Sequence, residues 1–246
     1  GDVVVSTSLA DGCALTGCTQ QGIQTDARDW ITRVRASGLE NRFVHVVAAG
    51  NIYPNLQSDT NALLGSHYIA AARMALPGGT ANLTNTIVVE NTTSSDPSLG
   101  PVEPLCMTDT SKEGGQISAV GNDIKSLSGP GQPRDLPLGG TSSAAPQVAG
   151  AAAMVWALDG GLSPTAVVNQ LIHTARPIAA NTDDPRCKNI TPAPGLDEYA
   201  AVLAVDTGVT QPVRSTIMDV ADSNGTLGAP DGAFDEFDVD AIVGEL

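Results

Sequence analysis

Gly139-Gly140-Thr141-Ser142-Ser143-Ala144-Ala145-Pro146-Gln147-Val148-Ala149-Gly150 is the most informative stretch of this chain. A glycine-lined turn delivers Ser142, a proline follows four residues later, and Val148 to Leu158 forms an unbroken helical run. A nucleophile at a helix N-terminus needs this order. Gly139 and Gly140 let a substrate backbone come close, and Ser142 falls where the helix dipole and unpaired N–H groups favour a developing negative charge. Pro146 is expected in the first turn, where it removes no hydrogen bond. Ala144, Ala145, Ala149 and Gly150 are small enough for close packing. Spacing alone also fits a capped helix without chemistry, because Ser and Thr are ordinary N-caps.

Upstream, Asp2-Val3-Val4-Val5-Ser6-Thr7-Ser8-Leu9 reads as a short strand. Its continuous valines match a parallel strand covered on both faces. A Gly/Cys loop over 10–22 precedes a helix over 24–37, with Ile23, Trp30, Ile31 and Val34 as its apolar stripe and Gly38 as its stop. Phe43 to Asn51 is a second buried strand ending in Gly50-Asn51, and the series forms one crossover unit. Leu63 to Leu76 is a further candidate helix, Thr86 to Asn91 a third strand, and Ile117 to Gly121 a fourth before a loop. Downstream of Ser142 come a helix over Ser163 to Thr174, capped by Ser163 with Pro164 at its first position, and a closing helix over Leu196 to Val205. The pattern is α/β with a mostly parallel sheet.

Composition agrees. The 246 residues suit one domain with a small appendage. Apolar residues make up 41% and aromatics only 3%, so Ala, Val, Leu and Ile must build the core. The net charge of -15 argues against nucleic acid or an anionic membrane surface as partner. No segment reaches the roughly 20 apolar residues of a membrane span. After Arg214 there is no basic residue but eight acidic ones, which is more than half of the net charge. The four cysteines lack a Cys-x-x-Cys pair, which favours disulfides over zinc. A Cys13–Cys18 bridge closes a small loop and Cys106–Cys187 a large one; four free thiols remain the alternative. The chain starts with Gly1 and shows no signal peptide, so a processed product or fragment is expected.

Gly140 to Gly150 match, position for position, the pattern Gly-Thr-Ser-x-Ala-x-Pro-x-Val-Ala-Gly that surrounds the active serine of subtilisin-like serine proteases, the subtilases. The resemblance extends over roughly 2–206. It implies a three-layer subtilisin-like fold lacking its N-terminal strands in this chain, and a serine endopeptidase acting on a protein or peptide substrate. Ser142 is then the nucleophile, and Asn51 the oxyanion residue acting with the Ser142 backbone N–H. Ser6, Thr7, Ser8, Leu9 and Ala10 resemble one wall of the substrate cleft. Ala48, Ala49 and Gly50 resemble the other, and Gly140 and Thr141 border the nucleophile. These walls carry small side chains and no acid, so a roomy apolar pocket is expected rather than strict Lys/Arg specificity.

The general base is missing from the pattern. In subtilases Asp and His precede the serine along the chain and the strand matching Ser6–Leu9. Here His45 lies inside a strand, His67 in the 63–76 segment and His173 at a helix end, and none matches the family's His motif. The resemblance therefore implies an N-terminal part that carries Asp and His, as a partner polypeptide or as further chain. The alternative is a catalytically inactive subtilase-like binding or assembly module. An esterase is disfavoured because Thr141-Ser142-Ser143 does not fit the Gly-x-Ser-x-Gly elbow. Residues 207–218 read as a linker and 219–246 as an acidic tail. There Asp231-Gly232, Phe234 and Asp238 resemble the back half of an EF-hand or dockerin calcium loop, with Asp219, Asp222 and Asn224 as further oxygen donors across an insertion. Calcium binding and a plain solvated tail both stay open, and none of this metal is required for catalysis. Disulfides and family together imply a secreted protein, extracellular or periplasmic.

Overall fold

Four of the expected strands form one parallel sheet in the computed structural model, which describes residues 3–8, 20–52, 73, 82–93, 105–122, 124–126, 136–178, 180 and 186–207. The strands are β1 (Val3–Thr7), β2 (Phe43–Ala48), β3 (Thr86–Thr92) and β4 (Ile117–Val120), in the order β1-β2-β3-β4. The register places Val5 beside His45, Val46 beside Ile87 and Val89 beside Ile117. Leu9, Ala10, Cys13, Cys18, His67, the 63–76 helix and the acidic tail with Asp219, Asp222, Asn224, Asp231 and Asp238 lie outside the described residues.

Alternation along β2 sorts its side chains onto two faces. Val44, Val46 and Ala48 join Ile87, Val89, Ile117 and Ala119 in one core. Over that face lie α2 (Thr141–Leu158), α3 (Pro164–Thr174) and α4 (Glu198–Thr207), contributing Ala144, Ala145, Val148, Ala152, Val155, Leu171 and Ala201. On the other face Val47, Ala49 and Val88 pack with Trp30. Trp30 belongs to α1 (Gln20–Ala36), whose Ile23, Ala27, Ile31 and Val34 form a second cluster with Leu83. The result is the expected three layers. Alanine supplies much of the α2 seam, which lets that helix lie close against the strands.

Several local expectations shift. Valine β1 was read as covered on both faces, yet Val3 and Val5 are 52% and 37% exposed, and among the described residues β1 pairs with β2 alone. The helix that carries Ser142 starts at Thr141 rather than Val148, which puts Pro146 in its second turn. The missing Pro146 N–H leaves the Ser142 carbonyl without its helical donor, and the Ser8 hydroxyl takes that place at 3.0 Å. The closing helix starts at Glu198 rather than Leu196, because the Leu196 N–H is committed to Ser118 O at 2.7 Å and Asp197 Oδ1 caps the Ala200 N–H at 2.9 Å. Helix α3 is as read, with Ser163 Oγ accepting from the Ala166 N–H. The stretch before Gly139, read as a loop, contains an antiparallel pair, β5 (Ile124–Ser126) and β6 (Leu136–Leu138), too short to show periodicity. Cys106 and Cys187 form a disulfide with their Cα atoms 5.7 Å apart. Among the described residues no helix is long and apolar enough to cross a membrane.

Candidate active site

The site forms where β2 runs out beneath the start of α2. Gly50 takes φ 95°, a left-handed value open to glycine, and turns the chain so that Asn51 faces Thr141. Asn51 Oδ1 accepts from the Thr141 N–H at 3.0 Å and from Thr141 Oγ1 at 3.1 Å. Thr141 Oγ1 itself accepts from the Gly50 N–H at 3.2 Å. The backbone N–H of Thr141 can only donate, so the Asn51 oxygen is fixed against it and the other end of the amide is the NH₂ donor. Gly140 is required twice over. Its φ is 92°, and a Cβ there would lie 2.8 Å from Asn51 Nδ2.

Ser142 is the second residue of α2, where N–H groups have no preceding helical carbonyl to bond. No acidic side chain sits in that first turn to oppose a developing anion. Its hydroxyl donates to Ser8 O at 3.1 Å, and the Ser8 hydroxyl returns a bond to Ser142 O. The residue after β1 is thereby laced to the start of α2. Ser142, Asn51, Gly50, Gly140, Thr141 and Ser8 are thus brought together.

Other expected residues are placed differently. Ala48 and Ala49 are buried, one in each core. The Thr7 hydroxyl is bonded at 2.7 Å to His45 Nε2, away from Ser142. His45 is buried in β2 and lies 6.0 Å from Trp30 and 5.7 Å from Phe43, ring to ring. His173 ends α3. Among the described residues the Ser142 hydroxyl has only the Ser8 carbonyl as partner.

The sequence reading passed over the supports behind the site. The segment after β3 runs back along Asn51: Ser111 bridges to Asn51, Lys112 N–H donates to Gly50 O at 3.0 Å, and Ile52 N–H donates to Thr110 O. That segment hangs from buried Glu90, which accepts from Gly114 and Gly115 N–H at 2.8 Å and from Ala193 N–H at 2.7 Å. Burial pushes the Glu90 carboxyl above its ordinary value, with the nearby Glu113 charge adding to the rise, while the three N–H donors pull it back. The available signal was Glu90-Asn91-Thr92, a polar run that closes a strand with the apolar middle Ile87-Val88-Val89.

Among solved structures, the A-subunit of the AB5 toxin from E. coli is 16% identical and covers 82% of this chain and 60% of its own, with a TM-score of 0.51. A cold adapted subtilisin-like serine proteinase is 24% identical over 80% of this chain and 56% of its own (TM-score 0.43). The patellamide maturation protease PatA is 22% identical over 73% and 56% (TM-score 0.46). This chain therefore spans 56–60% of the length of these structures. No curated protein matches it. The model of the subtilase family matches residues 3–211. With a parallel three-layer fold and that match over most of its length, the chain belongs to the subtilase family.

Proposed function

We propose that the chain is the serine-bearing portion of a peptide-bond hydrolase. Ser142 Oγ attacks the scissile carbonyl, the Asn51 NH₂ and the Ser142 N–H receive the oxyanion, and a His oriented by an Asp takes the Ser142 proton and returns it to the leaving amine. Asp and His come from a part outside these 246 residues. The observation that carries the reading is the double tie of the Asn51 oxygen to Thr141, which aims the amide donors at the N-terminus that holds Ser142. A second observation supports the missing part. Val3 and Val5 stand on an exposed strand edge, and beside them Val4, Ala153, Trp156, Ala157 and Gly160 line a cavity of about 380 Å³. Soluble proteins avoid flat apolar edges, and a further strand would cover this one. An extended substrate would run beside Ser6–Ser8 by strand addition. The Cys106–Cys187 bridge supports a secreted location.

The test is active-site labelling of full-length material. A fluorophosphonate probe should modify Ser142, Ser142→Ala should abolish labelling, and Asn51→Ala should slow it by roughly 10²–10³. Mass analysis should show an Asp/His-bearing part of roughly 100–200 residues. A single 25.0 kDa species that resists the probe would overturn the hydrolase reading and leave a binding or assembly module.

A further inference from the structure

Asn91 sits in β3 between the two halves of the site and is fully buried. Its backbone reaches one half: its N–H donates to Ser111 Oγ at 2.9 Å, and Ser111 bridges to Asn51. Its side chain reaches the other. Asn91 Nδ2 donates to Thr108 Oγ1 at 3.1 Å and to Asn122 Oδ1 at 2.9 Å. Asn122 Oδ1 also accepts from the Gly140 N–H at 3.4 Å. A backbone N–H only donates, so it fixes which end of the Asn122 amide faces it, and that in turn fixes the Asn91 amide.

The space around this relay is closed. A Cβ on Gly121 would overlap Asn91 Oδ1 and stand 2.5 Å from Gly140 O. Among the described residues Asn91 Oδ1 has no hydrogen-bond partner, although it is buried. An unpaired buried amide oxygen costs stability, and a Val or Ile would suit a strand interior better. A buried polar group in that position is explained when its other end holds something in place. Here it holds Asn122, and Asn122 holds the residue just before Thr141 and Ser142.

We infer that Asn122, held by Asn91, is a positioning residue that sets the height of the Gly140 turn and so the separation between the Ser142 N–H and the Asn51 amide. The inference rests on the proposed roles of Ser142 and Asn51. Oxyanion donors act over a narrow distance range, so a shift of a few tenths of an ångström in Gly140 is felt in the chemistry rather than in binding.

The experiment uses the full-length protein with Asn122→Ala, which removes the acceptor, and Asn122→Asp, which keeps an oxygen for both donors. Asn122 is only half-buried, so both variants should fold, which thermal melting checks. Asn122→Ala should lower the maximal rate of fluorophosphonate labelling roughly tenfold and speed hydrogen exchange at the Gly140 amide by a similar factor. The probe concentration for half-maximal rate should move less than about twofold, because ground-state binding is untouched. Asn122→Asp should bring both rates back to within about threefold of the parent. Unchanged Gly140 exchange in Asn122→Ala overturns the inference, and so does faster exchange with unchanged labelling. If the parent itself is not labelled, the role of Ser142 falls instead, and the Gly140 exchange rate alone decides whether Asn122 holds the turn.

Discussion

Strands β1 and β3 invert the usual match between polarity and burial. Strand β1 opens with three valines, two of them exposed, whereas β3 carries Thr86, Glu90, Asn91 and Thr92 and is buried at all seven positions. The inversion separates two demands on the sheet. Among the described residues the apolar strand pairs with β2 alone. A polar strand that is buried does work for which apolar packing is not enough, and here it anchors the segments behind Asn51 and Gly140.

The sharpest way to break that contrast is at Glu90. Glu90→Ala leaves the N–H groups of Gly114, Gly115 and Ala193 without their acceptor, and an orphaned donor costs about 1–3 kcal/mol. With partial access of water, a loss of about 3–5 kcal/mol in chemical denaturation is expected. A loss below about 1 kcal/mol would show that the carboxylate is a passenger. The same group has a pH signature. Its folded-state pKa lies above the ordinary value of 4.5, so the folded form binds the proton more tightly than the unfolded chain does. Its stabilising contribution is then complete below about pH 4.5 and is lost as pH rises through the raised folded value. Subtracting the Glu90→Gln profile from the parent should isolate that decline. A difference that grows more favourable with rising pH would reverse the assignment.

The next effect is covalent. Cys106 follows β3, with Thr93 N–H bonded to Cys106 O at 3.0 Å, and Cys187 lies in the strap that pairs with Met107 and Thr108. The bridge spans 81 residues, so removing it should cost about 2–4 kcal/mol, measured as the denaturation midpoint of a Cys106→Ser, Cys187→Ser pair. Because the strap backs the segment that carries Ser111, labelling at Ser142 should slow as well. A destabilised variant with unchanged labelling would confine the disulfide to general stability.

How far the sequence revealed this site follows from the kind of signal each part leaves. The turn that delivers Ser142 was legible because glycine, serine and proline each meet a separate steric demand in a fixed order. Gly50-Asn51 was legible only once Ser142 had been found, since Gly-Asn alone is an ordinary turn. The burial of Ala48 and Ala49 was not legible because small apolar residues look the same in a cleft and in a core; strand alternation sends one to each face. Glu90, Asn91 and Asn122 left almost no trace. Their partners lie about 17 to 103 residues away, and nothing local encodes a hydrogen bond across that distance. The exposure of β1 was hidden for the same reason, because three valines specify a strand without specifying how many neighbours it has.

Strand β1 offers the smallest effect and the cleanest discrimination. Val5 is 37% exposed and pairs in register with His45 of β2. Val5→Lys should change the stability of these 246 residues by no more than about 0.5 kcal/mol, as for a surface site. The same substitution places a charge on a flat edge, a common device against strand addition. It should therefore weaken association with an Asp/His-bearing part and reduce self-association, both read by sedimentation velocity. A large loss of stability in the chain by itself would mean that Val5 is already covered from within. The exposed edge would then no longer argue for a missing strand, and the contrast with β3 would narrow to its buried polar groups.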